Sequence, residues 1–332
     1  MKAIRYLGNK KVQLVELGKP KPSEGHALIK VIVSGICRTD VELLYDQPEP
    51  LDVIGGHEIA GIVVEGNRLS RFKVGDRVLV NCHITCGQCI HCANGDLIFC
   101  PELKVFGFDV NGGNEEYLAA PESCLRFLPG DISFEAGVLI GDALGTPYHA
   151  VKTAGIRAGD RIGIIGLGPV GLMAVISAKH FGAGVVAIDG LAERLDQARC
   201  FGADTTVHPA EAKDLMRELT GGRGLDAVVE CSGASEAINL GCELLRYRGR
   251  LVLVGVCLDL RINPTQQIIF KELSVVGSRN YNNNDLPELI ELARRVPAIQ
   301  NVVTHRFPLE EAAQAYRFAE ERKGIKILLM PS

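Results

Sequence analysis

A glycine-rich run between two different apolar patterns restricts the fold of this chain more than any other motif. The strand pattern RIGII at 161–165 leads into the turn GLGPVG at 166–171, and a helical pattern follows. Glycines let the backbone turn tightly and approach a pyrophosphate, whose charge the amides at the start of the helix attract. This predicts a dinucleotide-binding turn, with a purely structural turn as the alternative. The binding residues would be Gly166, Gly168, Pro169, Val170 and Gly171.

An acidic residue ends the next apolar strand pattern, VVAI. Asp189 lies eighteen residues after Gly171, where a carboxylate accepts hydrogen bonds from both ribose hydroxyls of the dinucleotide. Its negative charge repels a 2′-phosphate, so we expect NAD rather than NADP as the cofactor. Arg194 lies nearby, so use of both NAD and NADP stays open.

Four cysteines follow the spacing CxxCxxCx7C and form a cysteine lobe, defined as residues 86–100. Thiolates at this spacing surround a tetrahedral ion and leave no position for substrate, so the prediction is a structural zinc. The alternatives are a disulfide pair or an iron–sulfur cluster, while Cys82 and His91 are spare ligands nearby. The predicted ligands are Cys86, Cys89, Cys92 and Cys100.

Composition excludes several other classes of function. The chain has 332 residues with a net charge of −4, and its Lys and Arg residues are scattered rather than clustered, which argues against a nucleic-acid surface. The first residues lack the apolar segment of a signal peptide, and no apolar stretch reads as a membrane span. The odd number of cysteines favours a reducing compartment, so we expect a cytoplasmic protein.

The apolar patterns divide the chain into an α/β protein of two domains. Short alternating runs predict a β-rich, barrel-like domain over 1–143, whereas strands alternating with helices predict a parallel α/β domain over 144–278. The remaining segment, 279–332, has helix-like stretches and one closing apolar strand, IKILLM, and cannot extend the parallel sheet alone. We therefore assign it to the first domain.

The motifs together resemble those of a known family. CRTD at 37–40, GGHE at 55–58, the cysteine lobe and GLGPVG occur in the order found in zinc-dependent medium-chain alcohol and polyol dehydrogenases, and the chain is similar to the sorbitol and threonine dehydrogenases among them. The resemblance implies a GroES-like β-barrel catalytic domain with an inserted Rossmann domain, and an active site in the cleft between them. It also implies two zinc ions per chain and a homotetramer or homodimer.

By this resemblance a second, catalytic zinc is bound by Cys37, His57 and Asp142. Many relatives have Cys or Glu where this chain has Asp142, and a carboxylate would make the metal more Lewis acidic. Glu58 is expected to bind the ion directly or through water, and Asp40 to orient His57. The alternatives are a buried cysteine, a core histidine and a helix-capping aspartate.

The resemblance also assigns residues to proton transfer and to the cofactor. Thr39 would relay the alcohol proton, or alternatively would only begin a helix. Glu42 occupies the place of the usual relay histidine, so either Glu42 or water would carry the proton onward. Thr146 is expected to pack against the nicotinamide ring. Lys326 matches a residue that contacts the pyrophosphate, with a solvated surface lysine as the alternative.

Polar residues at positions that line the substrate pocket in relatives favour a polar alcohol. These residues are His83, Asn114 and Arg279, and rim or surface positions are the alternative. Buried hydrogen-bonding groups disfavour an apolar ligand, so we expect a polyol, a sugar or a hydroxy amino acid as substrate. A zinc-free enone or quinone reductase of the same fold and a non-catalytic NAD-binding regulator are the alternative functions.

Overall fold

The computed structural model describes residues 1–66 and 71–331. The chain forms two compact units. The first unit comprises Met1–Asp142 and Asn282–Ser332, and the second comprises Ala143–Tyr281. The predicted domain boundaries, after residues 143 and 278, lie close to these.

The strands of the described residues are short, and most of them carry the apolar runs identified in the sequence. They are β1 (Lys2–Gly8), β2 (Lys11–Glu16), β3 (His26–Ile36), β4 (Glu58–Glu65), β5 (Arg77–Val80), β6 (His83–Ile84), β7 (Lys104–Val105), β8 (Tyr117–Pro121), β9 (Leu125–Phe127), β10 (Arg161–Ile165), β11 (Gly184–Ile188), β12 (Thr205–Val207), β13 (Leu225–Glu230), β14 (Leu245–Leu253), β15 (Ser274–Gly277), β16 (Val303–Pro308) and β17 (Lys326–Met330).

The α-helices of the described residues are concentrated in the second unit and in the C-terminal part of the first. They are α1 (Arg38–Asp40), α2 (Ile90–Ala93), α3 (Phe134–Leu139), α4 (Gly145–Thr153), α5 (Pro169–His180), α6 (Ala192–Cys200), α7 (Ala212–Thr220), α8 (Ser235–Leu244), α9 (Leu286–Arg295) and α10 (Ala312–Glu320).

The first unit is built on a sheet whose order is β16-β17-β3-β4-β5-β9, with β8 also paired to β3. The pairs are antiparallel except for β16 with β17. The sheet buries apolar side chains such as Ile29, Val31 and Ile59. Because β17 pairs with β3, the C-terminal segment completes the first unit, as the sequence predicted.

The second unit is a parallel sheet with the strand order β12-β11-β10-β13-β14-β15. Counted from β10, this is the order 3-2-1-4-5-6 of a dinucleotide-binding doubly wound sheet. Strand order reverses beside β10, so the glycine turn that follows this strand lies where such sheets bind their ligands. The helix after the turn, α5, is apolar along most of its length and buried.

A search of the described residues for a membrane-spanning segment finds no helix that combines sufficient length with sufficient apolar character.

Candidate active site and metal sites

Two neighbouring strands bring the first candidate metal ligands together. Strand β3 ends just before Cys37, strand β4 begins just after His57, and Gly35 is paired with Glu58 in the antiparallel register. Cys37 and His57 therefore lie at the same end of adjacent strands. Asp142 reaches the same place from a π-helical turn at Ile140–Leu144, a rare conformation that is frequent at functional sites.

The ligand atoms lie at the distances that a tetrahedral ion requires. Cys37 Sγ is 3.5 Å from Asp142 Oδ2, and His57 Nε2 is 3.8 Å from the same oxygen. With Zn–S of about 2.3 Å and Zn–N or Zn–O of about 2.0–2.2 Å, neighbouring ligand atoms of a tetrahedral site are roughly 3.3–3.7 Å apart. One ligand atom from each of Cys37, His57, Glu58 and Asp142 fits within 4.8 Å of all the others. This set is called the catalytic cluster below.

Asp40 fixes two members of the catalytic cluster. Its Oδ2 accepts a hydrogen bond from the backbone N–H of Cys37 at 2.7 Å, and its Oδ1 lies 3.0 Å from His57 Nδ1. Asp40 is fully buried. This is the hydrogen bond that the sequence predicted for Asp40, and it leaves His57 Nε2 turned toward Cys37 and Asp142.

The electrostatics of the catalytic cluster favour a bound cation. Burial raises the pKa of the Cys37 thiol, and the Asp142 carboxylate raises it further. Burial lowers the pKa of His57, but the carboxylates of Asp40 and Asp142 outweigh this and raise it well above its ordinary value. Each shift reflects negative charge confined in a buried place, which a divalent cation would neutralise.

Glu58 is the most buried member of the catalytic cluster, with 1% of its surface exposed. Its Oε1 accepts a hydrogen bond from Lys326 Nζ, and its Oε2 has no hydrogen-bond partner. Burial raises the pKa of Glu58 to about 7, although the nearby Lys326 opposes the shift. A side chain at Gly35 would overlap the free carboxylate oxygen, so glycine leaves room for it. An unpartnered buried oxygen beside three other donors fits a metal ligand.

The structure contradicts one of the two sequence expectations for Lys326. Only 2% of its surface is exposed, so the solvated surface lysine is wrong. Its ammonium ion is paired with the Glu58 carboxylate, and its contact with the pyrophosphate stays a prediction. The reason for its burial is its position in β17, which pairs with β3 next to the catalytic cluster. Sequence alone could not place a charged residue inside a strand that is otherwise apolar.

The cysteine lobe brings its four thiols into one group. Sγ of Cys86 is 3.6 Å from Cys100 and 4.0 Å from Cys92, and Cys89 is 3.5 Å from Cys92. Four sulfur atoms around zinc are about 3.8 Å apart when Zn–S is about 2.3 Å. All four fall within 4.8 Å of one another, and all eleven cysteines are free thiols. The geometry therefore fits a closed zinc site and does not contain the alternative disulfide.

The two spare ligands lie outside this group. Cys82 is buried, with its Sγ 3.6 Å from Nε2 of His83, and His91 packs against Phe99 with 5.8 Å between ring centroids.

An asparagine clamp, Asn282–Asn284, holds the cysteine lobe and was missed by the sequence interpretation. The Nδ2 atoms of Asn282 and Asn284 donate to the carbonyl oxygen of Asn94 at 2.9 and 3.0 Å, and Asn282 also donates to Asp96 at 2.6 Å. The run of three asparagines was visible in the sequence. Its partners were not, because 186 or more positions separate it from the lobe.

The glycine turn of the second unit has the backbone that its sequence predicts. Gly166 has φ of 86°, in the left-handed region, and a side chain at Gly171 would overlap the Gly166 carbonyl oxygen. Helix α5 begins at Pro169 with Gly168 as its N-cap. Asp189 accepts hydrogen bonds from the amides of Leu167 at 2.7 Å and Leu191 at 2.9 Å. The turn and the carboxylate are thus fixed to each other.

Other predicted residues of the cofactor site also lie in the second unit. Arg194 lies near the turn, since a Cβ built on Gly168 would be 3.9 Å from its Nη1. Thr146 is in α4 and is buried.

The proposed relay residues occupy different environments. Thr39 lies in α1 and is half-buried, next to Asp40. Glu42 is exposed, and its Oε1 accepts a hydrogen bond from Arg38 Nε at 2.7 Å. The Glu42 carboxylate is thus paired with Arg38, and its role in proton transfer stays a prediction.

The three predicted substrate residues lie in different environments. Asn114 is fully buried, accepts a hydrogen bond from Ser34 at 2.8 Å and donates one to Tyr316 at 2.9 Å. It is a core residue, so its prediction as a pocket residue is wrong. His83 is buried in β6, and Arg279 is exposed after β15. The substrate roles of His83 and Arg279 stay predictions.

Two protein families match this chain, one in each of its two domains. The alcohol dehydrogenase GroES-like domain matches residues 23–130, and the zinc-binding dehydrogenase domain matches residues 169–295. These matches define the class as a dehydrogenase built from a GroES-like domain and a zinc-binding dehydrogenase domain.

Whole-chain relatives narrow the class further. The chain is 35% identical to a sorbitol dehydrogenase of Halalkalibacterium halodurans, with 95% of this chain and 94% of the relative covered. It is 33% identical to a D-arabitol-phosphate dehydrogenase of Enterococcus avium, with 97% and 94% covered. The structure of alcohol dehydrogenase TADH from Thermus sp. ATN1 matches with a TM-score of 0.91 and 29% identity, covering 99% of both chains.

The chain therefore belongs to the zinc-dependent, NAD-linked alcohol dehydrogenases of the medium-chain dehydrogenase/reductase superfamily. The predicted family, fold class, enzyme class and cofactors are confirmed.

Proposed function

We propose that this enzyme oxidises a polar secondary alcohol at a zinc ion held by Cys37, His57 and Asp142, with NAD as the hydride acceptor. Glu58 is proposed as a further ligand, and the four cysteines of the lobe as ligands of a structural zinc. The observation that supports this most strongly is the meeting of donors from distant parts of the chain within 4.8 Å. A thiolate, an imidazole and a carboxylate form a mixed set typical of catalytic zinc.

The protein residues have separate tasks in this reaction. Zinc in such a site supplies Lewis acidity, which lowers the pKa of an alcohol hydroxyl and prepares its carbon to lose a hydride. Asp40 holds the imidazole and the Cys37 backbone in place through its two short hydrogen bonds. Thr39, in the same short helix, is the proposed first relay, whose hydroxyl would take up the alcohol proton while passing its own proton on to Glu42 or water.

The second unit is proposed to bind NAD through the glycine turn and Asp189. The first amides of α5 face the pyrophosphate in a sheet of this order. The Asp189 carboxylate is already oriented by the amides of Leu167 and Leu191, so recognising the ribose requires little reorganisation. Thr146 and Arg194 are proposed as further cofactor contacts.

The substrate class is proposed to be a polyol, a sugar or a hydroxy amino acid. Two of the relatives are named for sorbitol and for D-arabitol phosphate, both of which carry several hydroxyl groups. His83 and Arg279 are the remaining candidates for contacts with such hydroxyls. A homodimer or homotetramer and a cytoplasmic location also stay predictions, and light scattering will test the oligomeric state.

A spectrophotometric scan tests the proposed function. Native enzyme is given sorbitol, arabitol, xylitol, threonine and 2-propanol with NAD or NADP, and formation of reduced cofactor is followed. We expect activity on at least one polar secondary alcohol, a preference for NAD, and loss of activity in Cys37→Ala. Cys200→Ala is the matched control, because Cys200 is an exposed thiol of α6 outside both ligand groups.

Three outcomes would contradict the proposal. Activity that survives Cys37→Ala would remove the catalytic zinc from the reaction. Zinc-independent reduction of an enone would support a zinc-free reductase instead. Inactivity on every alcohol, together with one bound zinc per chain, would support a non-catalytic regulator.

A further inference from the structure

A cavity of about 390 Å³ opens in the first unit. Its walls are mostly apolar and include Ile84, Phe106, Val110 and Leu118. None of its lining residues, among those that the structure describes, belongs to the catalytic cluster or is a thiol of the cysteine lobe. The volume lies in the range of small-molecule pockets, and it is far larger than the ~30 Å³ that one water occupies.

One carboxyl group lies in the wall of this cavity. Glu115 is only 2% exposed, and its Oε2 has no hydrogen-bond partner. Burial raises the pKa of Glu115 to about 8, and no neighbouring charge contributes to the shift. A buried carboxyl oxygen without a partner costs about 1–3 kcal/mol, and a hydrogen-bond donor bound beside Glu115 would offset that cost.

The backbone holds Glu115 rigidly in this position. Glu115 forms an antiparallel bridge with Ala3, and the residues on both sides are tied by backbone hydrogen bonds. Asn114 N–H donates to the Gly55 carbonyl at 3.0 Å, and Glu116 N–H donates to the Lys2 carbonyl at 3.0 Å. The backbone that carries the Glu115 side chain is therefore held in place on both sides.

We propose that this cavity binds a small organic cation that has N–H donors at one end and an apolar body. The N–H groups would donate to Glu115, and the body would fill the space between Phe106, Val110 and Leu118. A metal ion fits less well, because Glu115 is the single carboxylate among the described lining residues and hard cations require several oxygen ligands. An anion would be repelled by the ionised Glu115 carboxylate, whereas a bound cation would favour that form, with the proton released to solvent.

Two basic residues, His26 and Lys104, are among the described lining residues, and neither is paired with the Glu115 carboxyl group. His26 Nδ1 lies 2.9 Å from Ser23 Oγ and 3.1 Å from the Glu24 carbonyl, so that ring atom is bound to its own turn. Lys104 is an exposed residue of β7, and its long side chain lets the ammonium ion stay in water. Neither basic residue is therefore shown bonded to Glu115.

Titration calorimetry with n-butylguanidinium chloride on the zinc-loaded enzyme tests the proposal. The guanidinium group stays protonated and has no lone pair for zinc, so the catalytic cluster cannot bind this probe as a ligand. We expect one site with a dissociation constant of about 1 mM or below, which corresponds to about −4 kcal/mol. The neutral probe n-butylurea has a similar shape, and we expect at least tenfold weaker binding.

Two variants assign the site to Glu115. Glu115→Gln keeps the shape of the side chain but removes its charge, and we expect at least tenfold weaker binding of n-butylguanidinium. Glu116→Gln is the matched control, because its carboxylate already accepts a hydrogen bond from the Lys2 amide. It should bind the probe as the native enzyme does.

The proposal is overturned if n-butylguanidinium shows no binding at a probe concentration ten times the expected dissociation constant of ~1 mM. Equal binding of the charged and neutral probes would also overturn it, and this comparison needs no variant. Undiminished binding by a folded Glu115→Gln protein would place the probe elsewhere.

Discussion

Asp40 is the residue on which the geometry of the catalytic cluster depends most. It binds no substrate in our proposal, yet it contacts both the Cys37 backbone and the His57 ring. Full burial keeps its carboxylate from rotating toward water. Carboxylates that hold a ligating histidine fix its tautomer and increase its basicity. The contribution of Asp40 should therefore appear in zinc affinity as well as in turnover.

We predict that Asp40→Asn lowers kcat or zinc affinity about 10–100-fold. The amide keeps the size of the side chain, but it carries no charge to stabilise the imidazole. Zinc content after dialysis and initial rates measure the two effects. Glu42→Gln is the control, because Glu42 is exposed and paired with Arg38, and it should change zinc content little. Equal zinc retention and equal kcat in Asp40→Asn would show that the carboxylate is not needed.

Glu115 predicts a pH dependence of stability. Its pKa is about 8 in the folded protein, against an ordinary value of 4.5. The unfolded state therefore loses the Glu115 proton as the pH rises past about 4.5, while the folded state keeps it until about pH 8. The folded state binds more protons in this window, so the free energy of unfolding falls as the pH rises.

We predict that Glu115→Gln removes this dependence. Between pH 5 and pH 8 the free energy of unfolding of the native protein should fall, relative to the variant, by about 3–4 kcal/mol. Urea unfolding at both pH values measures the difference, and the comparison cancels other groups that titrate in both proteins. Glu116→Gln should follow the native protein. Parallel pH profiles of native and Glu115→Gln proteins would mean that Glu115 is not buried in the protonated form.

Motifs predicted residues well where a residue type and a short spacing carry the chemistry. Cys37 and His57 lie in CRTD and GGHE, and the structure brings both to Asp142. The burial of Asn114 and Lys326 was not predicted, because it depends on partners more than 200 positions away, Tyr316 for one and Glu58 for the other. Local sequence contains no information about such partners.

At the scale of elements, the turn between β10 and α5 depends on close backbone packing. The Gly171 α-carbon lies against the Gly166 carbonyl, so even one methyl group would displace the start of the helix. The amides that this helix presents to a pyrophosphate would move with it.

We predict that Gly171→Ala weakens NADH binding at least tenfold and destabilises the protein by about 1–3 kcal/mol. Fluorescence titration with NADH and thermal unfolding measure the two effects. Gly277→Ala is the matched control, since a Cβ there meets no atom within 4 Å and the residue also lies in the second unit. If both variants bind NADH equally, the close approach at Gly171 is unimportant for the cofactor.

Regular elements followed from periodicity, whereas irregular ones did not. The strand patterns RIGII and VVAI became β10 and β11 because buried parallel strands read as continuous apolar runs. The π-helical turn at Asp142 and the asparagine clamp had no comparable signal. Both depend on contacts between distant segments rather than on a repeating pattern.

At the scale of the whole molecule, the two candidate cofactors depend on different parts of the chain. Every candidate zinc ligand lies within the first unit, which includes Met1–Asp142. The glycine turn and Asp189 lie within the second unit, Ala143–Tyr281. Each unit also has its own buried apolar cluster. Loss of metal should therefore affect the first unit and leave the glycine turn and Asp189 of the second unit folded.

We predict that removing zinc with a chelator abolishes alcohol oxidation but changes the affinity for NADH by less than about threefold. Zinc content, alcohol oxidation and NADH fluorescence are measured on the same sample. The metal-free protein should unfold at a lower temperature, because the cysteine lobe has little apolar core to replace the ligand bonds. Added NADH should still raise the unfolding temperature, since a ligand that binds only the folded state stabilises it.

The Gly171→Ala protein provides the opposite case, because it should keep both zinc ions while binding NADH weakly. If zinc removal also abolishes NADH binding and Gly171→Ala also loses zinc, the two units do not fold and bind independently. Retention of zinc by Gly171→Ala together with NADH binding by the metal-free protein would instead assign each cofactor to the unit that carries its residues.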